Sequence, residues 1–286
     1  MPLDSLSAIN QAFDDGRWHL QRVFKNAGTA YALQWGDATF SSGQPGYDAH
    51  VGAPGVFTPS VAAGNDAIWF PGIAPSQERR LVNVTLRDAQ ATYNGPGSSV
   101  IFDLLGYYPL IDGDSTDEQV LGNAVELPRY SSGDGVFAVL VNHVAPAAQN
   151  GIAVVNATDS AGNTVVSTVG VPLNGINLVC SGVQASASAD VGPLSMSIGC
   201  PRGVRRINSI QFTTPPGGLH AIYLIRPLMT LVHGDNRIAV EKEAISHNAM
   251  NCPRIYDGAW LGWFNRIGSG TARTVSWWGH FTFIWG

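Results

Sequence analysis

Lysine is almost missing from this chain. Only Lys25 and Lys242 occur in 286 residues, and no Lys or Arg falls between Arg129 and Arg202. With a net charge of −5, no basic stripe can neutralise phosphates, which argues against a nucleic-acid partner. Charged residues make up only 13% of the chain and hydrophobic ones 45%, so the polar surface has to be built from Ser, Thr, Asn and Gly. Aromatic and β-branched residues are plentiful, which excludes a disordered chain. A low-charge surface of this kind suits a protein packed against neighbours.

Long apolar runs are lacking too. None approaches the ~20 residues that would span a bilayer, so no membrane partner is expected. The strongest candidate, AIYLIRPLMTLV (221–232), is interrupted by Arg226 and Pro227 and reads as two short strands. The start, MPLDSLSAIN, has neither the basic nor the apolar region of a signal peptide. The three cysteines, Cys180, Cys200 and Cys252, form no CxxC pair. They read as small buried hydrophobes in a reducing compartment, not as a disulfide framework.

Catalytic signatures are equally absent: the chain contains no HExxH, GxSxG or GxxxxGK[ST], and no GxGxxG after a strand. Its histidines (19, 50, 143, 220, 233, 247 and 280) are scattered without ligand spacing, and His280 reads as a satisfied sheet residue. No catalytic residue, metal or cofactor is therefore assigned, and the chain reads as a non-enzyme. One acidic stretch stands out, IDGDSTDEQ (111–119). Asp112, Asp114, Asp117 and Glu118 have oxygens enough for a hard cation. The stretch lacks the glycine and final glutamate of an EF-hand loop. The competing reading is a solvated turn capping a short helix from Ser115, its acids favoured by the helix dipole.

What the chain does contain is β-structure. RLVNVTLRD (80–88) alternates apolar and polar residues, and 98–108, 135–143 and 151–157 are short β-branched runs bounded by turn residues. AVVNATDSAGNTVVSTVGV (153–171) reads as a hairpin around DSAGN. INLVC, LSMSI, INSIQF, HAIYLI and RIAVE follow as further strands. The whole predicts an all-β protein, an antiparallel jelly-roll-like β-sandwich with a short N-terminal helical arm. Residues 1–45 are expected as the arm and 46–286 as the sandwich, with room for a split into two β subdomains near 150. The Gly/Pro/Ser-rich stretch 41–66 is the most plausible linker.

Two ends of the chain carry most of the informative apolar residues. The first 25 residues read as helical: Asp4 or Ser5 caps, Leu6, Ile9 and Phe13 recur at helical spacing, and Trp18, Leu20, Val23 and Phe24 follow Gly16. Such a segment either docks on its own domain or reaches onto another subunit, where Phe13, Trp18, Val23 and Phe24 would form the contact. The last stretch, RTVSWWGHFTFIWG (273–286), puts Val275, Trp277, Gly279, Phe281, Phe283 and Trp285 on one strand face. It is expected at the centre of a sheet, anchoring the chain end.

Four stretches together resemble virion structural proteins of tailed bacteriophages. They are LLGYYPLIDGDSTDEQ (104–119), LPRYSSGDGVFAVLV (127–141), PRIYDGAWLGWF (253–264) and GHFTFIWG (279–286). The nearest kind is the capsid decoration, cement or head-associated protein. The resemblance implies a non-enzymatic jelly-roll-like protein made in the host bacterial cytoplasm. It would bind the major capsid protein on the outside of the shell and form a homo-oligomer, often a trimer. The alternative is a tail or receptor-binding protein stacking a host glycan on Trp260, Trp263 or Trp278.

Overall fold

The computed structural model describes residues 3, 5–30, 35–37, 42–44, 52–62, 68, 70–88, 97–144, 151–171, 200, 202–233, 239–243, 252–267 and 273–286. The stretches INLVC and LSMSI, with Cys180, His50 and His247, lie outside them. Ser5 is the N-cap of the helix α1 (Leu6–Asp14), its Oγ accepting from the Ala8 N–H at 3.2 Å. The helix buries Ala8, Ile9 and Ala12 and stops before Gly16, whose φ of 68° turns the chain.

From Trp18 the chain is extended, not helical. Strand β1 (Trp18–Ala30) pairs along its length with β16 (Arg273–Trp285), and β3 (Ser42–Gln44) pairs on its other side. The expected helical reading of residues 18–25 is thus corrected. Trp18, Leu20, Arg22 and Phe24 alternate with His19, Gln21, Val23 and Lys25, a period of two that β16 reinforces with its own alternation.

The described residues form three antiparallel sheets. The terminal sheet runs β13 (Val240–Glu243), β5 (Arg79–Asp88), β16, β1, β3, with β14 (Arg254–Ile255) also on β5. The last strand lies between β5 and β1, central as expected. The central sheet runs β2 (Trp35–Asp37), β15 (Trp260–Ile267), β6 (Gly97–Asp112), β12 (Leu219–His233), β8 (Phe137–Asn142), with β4 (Thr58–Pro59) on β6. The hairpin sheet runs β10 (Thr164–Val171), β9 (Gly151–Asp159), β11 (Val204–Thr214), β7 (Gln119–Val120). Its β9–β10 turn contains Gly162 at φ 88°, as the DSAGN hairpin requires. The chain is an all-β, sandwich-like antiparallel protein with one short N-terminal helix. Strands from before and after residue 150 interleave in the terminal and central sheets, and in the hairpin sheet β7 from before 150 pairs at the edge.

The interval 221–232 is one strand, not two. Pro227 sits at a register shift against β6, and the pairing of β12 with β8 ends at Ile225, so the missing proline N–H costs no ladder bond there. The long strands β6 and β12 hold the molecule together by serving two cores on one face. Leu105, Tyr108, Ile222 and Leu224 pack on Val155, Ile210 and Phe212 of the hairpin sheet. Further along, Ile101, Leu231 and β15's Trp263 pack on Val84, Trp277, Phe281 and Phe283 of the terminal sheet. The opposite face is buried as well, where Phe102 and Phe264 meet with ring centroids 4.3 Å apart. Burial on both faces explains why β6 reads as a nearly unbroken apolar run.

Candidate assembly interface

Strand alternation in β1 sends Trp18, Leu20, Arg22 and Phe24 to the face of the terminal sheet turned away from the central sheet. Their register partners on β16 are Ile284, Thr282, His280 and Trp278, and the next strand, β5, adds Thr85 and Arg87. Helix α1 covers only one end of this face. Ile9 and Ala12 pack there on Val82 and Ile284, and the Phe13 ring lies 6.3 Å from that of Trp18.

Beyond the helix the described residues of this face are exposed or half-buried. Trp18 is 45% and Trp278 47% exposed, and Leu20, next to Trp18 on this face of β1, is exposed too. The Phe24 ring meets Trp278 edge-on at 5.4 Å, and the Arg87 guanidinium lies 5.7 Å from the Trp278 ring centroid. Polar groups around this strip are already engaged: His280 Nε2 is 3.1 Å from Thr85 Oγ1, and Asn83 donates to Glu241. Exposed tryptophans beside arginines are the residues that dominate binding energy when a partner covers them, at roughly 2–3 kcal/mol for a fully buried large apolar side chain. Arg22 and His280 separate the Trp18–Leu20 end of this strip from its Phe24–Trp278 end, so the face mixes exposed aromatic and polar groups.

The structure brings Phe13, Trp18 and Phe24 onto this one face and sends Val23 elsewhere. Val23 points into the core with Leu81 and Phe281. Leu20, Arg22 and Arg87 were missed, although the period-two pattern of 18–25 carries the signal for the first two. Of the tryptophans proposed to stack a sugar, Trp260 and Trp263 are buried and only Trp278 is exposed.

The acidic stretch forms a turn and leads into no helix. The Asp114 N–H donates to Asp112 Oδ1 at 2.9 Å, the Asp117 N–H to Ser115 Oγ at 3.2 Å, and Ser209 Oγ to Glu118 at 2.5 Å. Among the described residues, no three of His, Cys, Asp or Glu are grouped to hold a metal ion. No helix among them is long and apolar enough to cross a membrane. The two described cysteines, Cys200 and Cys252, are buried free thiols whose pKa values burial pushes up.

Buried ionisable groups elsewhere serve the framework. Arg79 lies over the Phe70 ring at 4.2 Å, donates to the Pro71 carbonyl at 2.6 Å and contacts Asp257. Burial lowers the Lys25 ammonium to about 8, partly offset by Asp37. His220 sits in the central sheet with Nδ1 3.0 Å from Asn142 Oδ1 and Nε2 3.1 Å from the Gly217 carbonyl. His143 Nε2 is 3.3 Å from the Tyr223 hydroxyl. Burial holds both histidines near 4.

No protein-family model matches the chain, and no curated protein does. Solved structures of infectious bursal disease virus align over most of its length at low similarity. The Gt-strain structure matches at 13% identity, covering 93% of this chain and 80% of that one, with a TM-score of 0.20. A VP2 subviral particle matches at 11% identity over 93% and 80%, with a TM-score of 0.16. Virus-derived T=1 particles match at 12% identity over 94% and 78%, with a TM-score of 0.15.

Proposed function

We propose that this chain is a non-enzymatic structural protein of a virus particle, attached to the outside of a phage capsid as a decoration or cement protein. The half-covered face of the terminal sheet is the observation that carries this reading. The exposure of Trp18, Leu20 and Trp278, with Arg87 over Trp278 and Arg22 on the same face, supports contact with another protein surface. The sparse charge and the Ser/Thr/Gly turns agree with a module that has neighbours on several sides. The phage resemblance of residues 104–119, 127–141, 253–264 and 279–286 supplies the partner, the major capsid protein, and the self-association expected of such modules.

Quantitative mass spectrometry of purified virions, scaled to the major capsid protein, tests this directly. Hundreds of copies per particle support the shell assignment. Three to a few tens move the chain to the tail or neck, and there Trp278 becomes the candidate glycan contact. Absence from virions overturns the proposal. Incorporation of a Trp18→Ser/Trp278→Ser variant then tests the face: its recovery in virions is expected to fall at least tenfold.

A further inference from the structure

A second exposed β face lies on the hairpin sheet. Its inward residues, Ala153, Val155, Ala157, Ile210 and Phe212, are buried in the core. Outward, Val120 is 79% and Val166 62% exposed, and along β9 from their row come half-buried Val154 and exposed Ile152. Register makes this one surface: Val166 opposes Asn156, which opposes Ser209, which opposes Val120.

The charge beside this face is opposite to that of the terminal sheet. Ser209 Oγ donates to Glu118, and Gln211 Nε2 donates to the Thr116 carbonyl at 3.0 Å, so the acidic turn is tied to the outward face of β11. That turn exposes Asp112, Asp114, Asp117 and Glu118, and residues 111–119 contain no base. Arg206 stands in the row next to Val166 and Asn156, its Nε 3.3 Å from Thr158 Oγ1, and the neighbouring Arg205 donates to Glu126, so base borders this face on the side away from the acidic turn. The terminal-sheet face carries Arg22 and Arg87 around its tryptophans, with Glu241 at its margin.

We propose that the arginine-flanked aromatic face of the terminal sheet docks on the acid-flanked valine face of the hairpin sheet of a second copy of this chain. The inference rests on the assembly reading of the terminal-sheet face and names its occupant. Pairing either face with itself across a twofold axis sets like charges together, whereas pairing one with the other sets Arg22 and Arg87 against the acidic turn and buries apolar surface from both sides. Two copies that exchange both contacts at once close as a twofold dimer; a copy whose two faces meet different neighbours makes a heterologous contact that repeats into a ring or an extended array.

Sedimentation of the purified full chain over a range of concentration and salt tests this. Wild-type protein is expected to self-associate, more weakly as salt rises. Arg22→Glu/Arg87→Glu and Asp114→Arg/Asp117→Arg are each expected to weaken association at least tenfold with an unchanged unfolding temperature. An equimolar mixture of the two, and a chain carrying all four changes, should regain it, because each contact again pairs opposite charges. A monomeric wild type, a variant that keeps wild-type size, or failure of both rescues overturns the proposal. If Arg22→Glu/Arg87→Glu abolishes virion incorporation while the purified chain keeps its size, the face belongs to the capsid and not to a second copy. Self-association with the full rescue pattern in a chain absent from virions would instead remove the virion reading alone.

Discussion

Asp103 and Arg129 form a buried bidentate pair, with Arg129 Nε and Nη2 donating to the two carboxylate oxygens at 2.9 and 2.8 Å. The Trp260 N–H adds a third bond to Asp103 at 3.0 Å, and Arg129 also reaches the carbonyls of Ser60 and Leu104 at 3.1 and 2.9 Å. Asp103 lies on β6 between Ile101 of one core and Leu105 of the other, so the pair ties a loop and β15 to the seam between cores. Burial pushes the Asp103 carboxyl up and the Arg129 bonds oppose it.

Removing one partner leaves an uncompensated buried charge, which typically costs about 3–5 kcal/mol. Arg129→Met is expected to lower the urea midpoint accordingly, and Asp103→Leu/Arg129→Met to lower it much less. Equal losses in the single and double variants would show that the packing of Arg129, not its charge, matters.

Trp277 and Trp278 are neighbours in sequence with opposite surroundings. Trp277 is fully buried against the central sheet, and Trp278 stands on the open face. Trp277→Ala is expected to cost about 3–5 kcal/mol, and Trp278→Ala under about 1 kcal/mol. Chemical denaturation of the two variants, side by side, checks the facing of the last strand; similar losses would contradict it.

The 151–171 hairpin was legible from its two Val/Thr runs around DSAGN, and the last strand from the aromatic residues that a period of two gathers on one face. The same alternation in Trp18–Lys25 was overlooked, since Leu20, Val23 and Phe24 also satisfy helical spacing and follow a true helix. Pro227 misled for a related reason: whether a proline breaks a strand depends on whether its N–H faces a partner, which only the register decides. The open face was half readable. Periodicity groups Trp18 with Phe24, but which face stays uncovered depends on where α1 comes to rest, a tertiary fact. The acidic turn's attachment to β11 depends on pairing β7 with a strand some ninety residues away, as the span from Glu118 to Ser209 shows.

Gly279 occupies the middle of β16 with no positive φ to explain it. Close approach does: a Cβ there would lie 1.9 Å from the Thr85 carbonyl oxygen of β5. Backbone cannot yield as a flexible side chain would, so Gly279→Ala should force β16 and β5 apart. A loss of at least about 2 kcal/mol is expected, beyond the usual range for a surface change. Hydrogen exchange should locate the loosening to 81–88 and 277–283; wild-type protection there would refute the steric reading.

Acid is expected to weaken the central sheet through His220, which faces the hairpin sheet, and His143, which lies beside Tyr223. His220 packs on Phe212 of the hairpin sheet with ring centroids 5.2 Å apart, and burial is the main cause that holds both imidazoles near 4. Their mutual repulsion lowers His143 further, while the Gly217 carbonyl and Asp112 pull His220 back up. A histidine whose folded pKa is depressed binds its proton more readily when unfolded. Its contribution is therefore present above the unfolded value of about 6.5 and is lost as pH falls towards 4, by at most about 3 kcal/mol for each residue. Unfolding temperatures at pH 7, 5.5 and 4.5 should fall steeply for the wild type. In His143→Phe and His220→Gln variants the fall should be shallower, even where their stability at pH 7 is lower. Parallel slopes in all three proteins would assign the acid sensitivity to carboxylates instead.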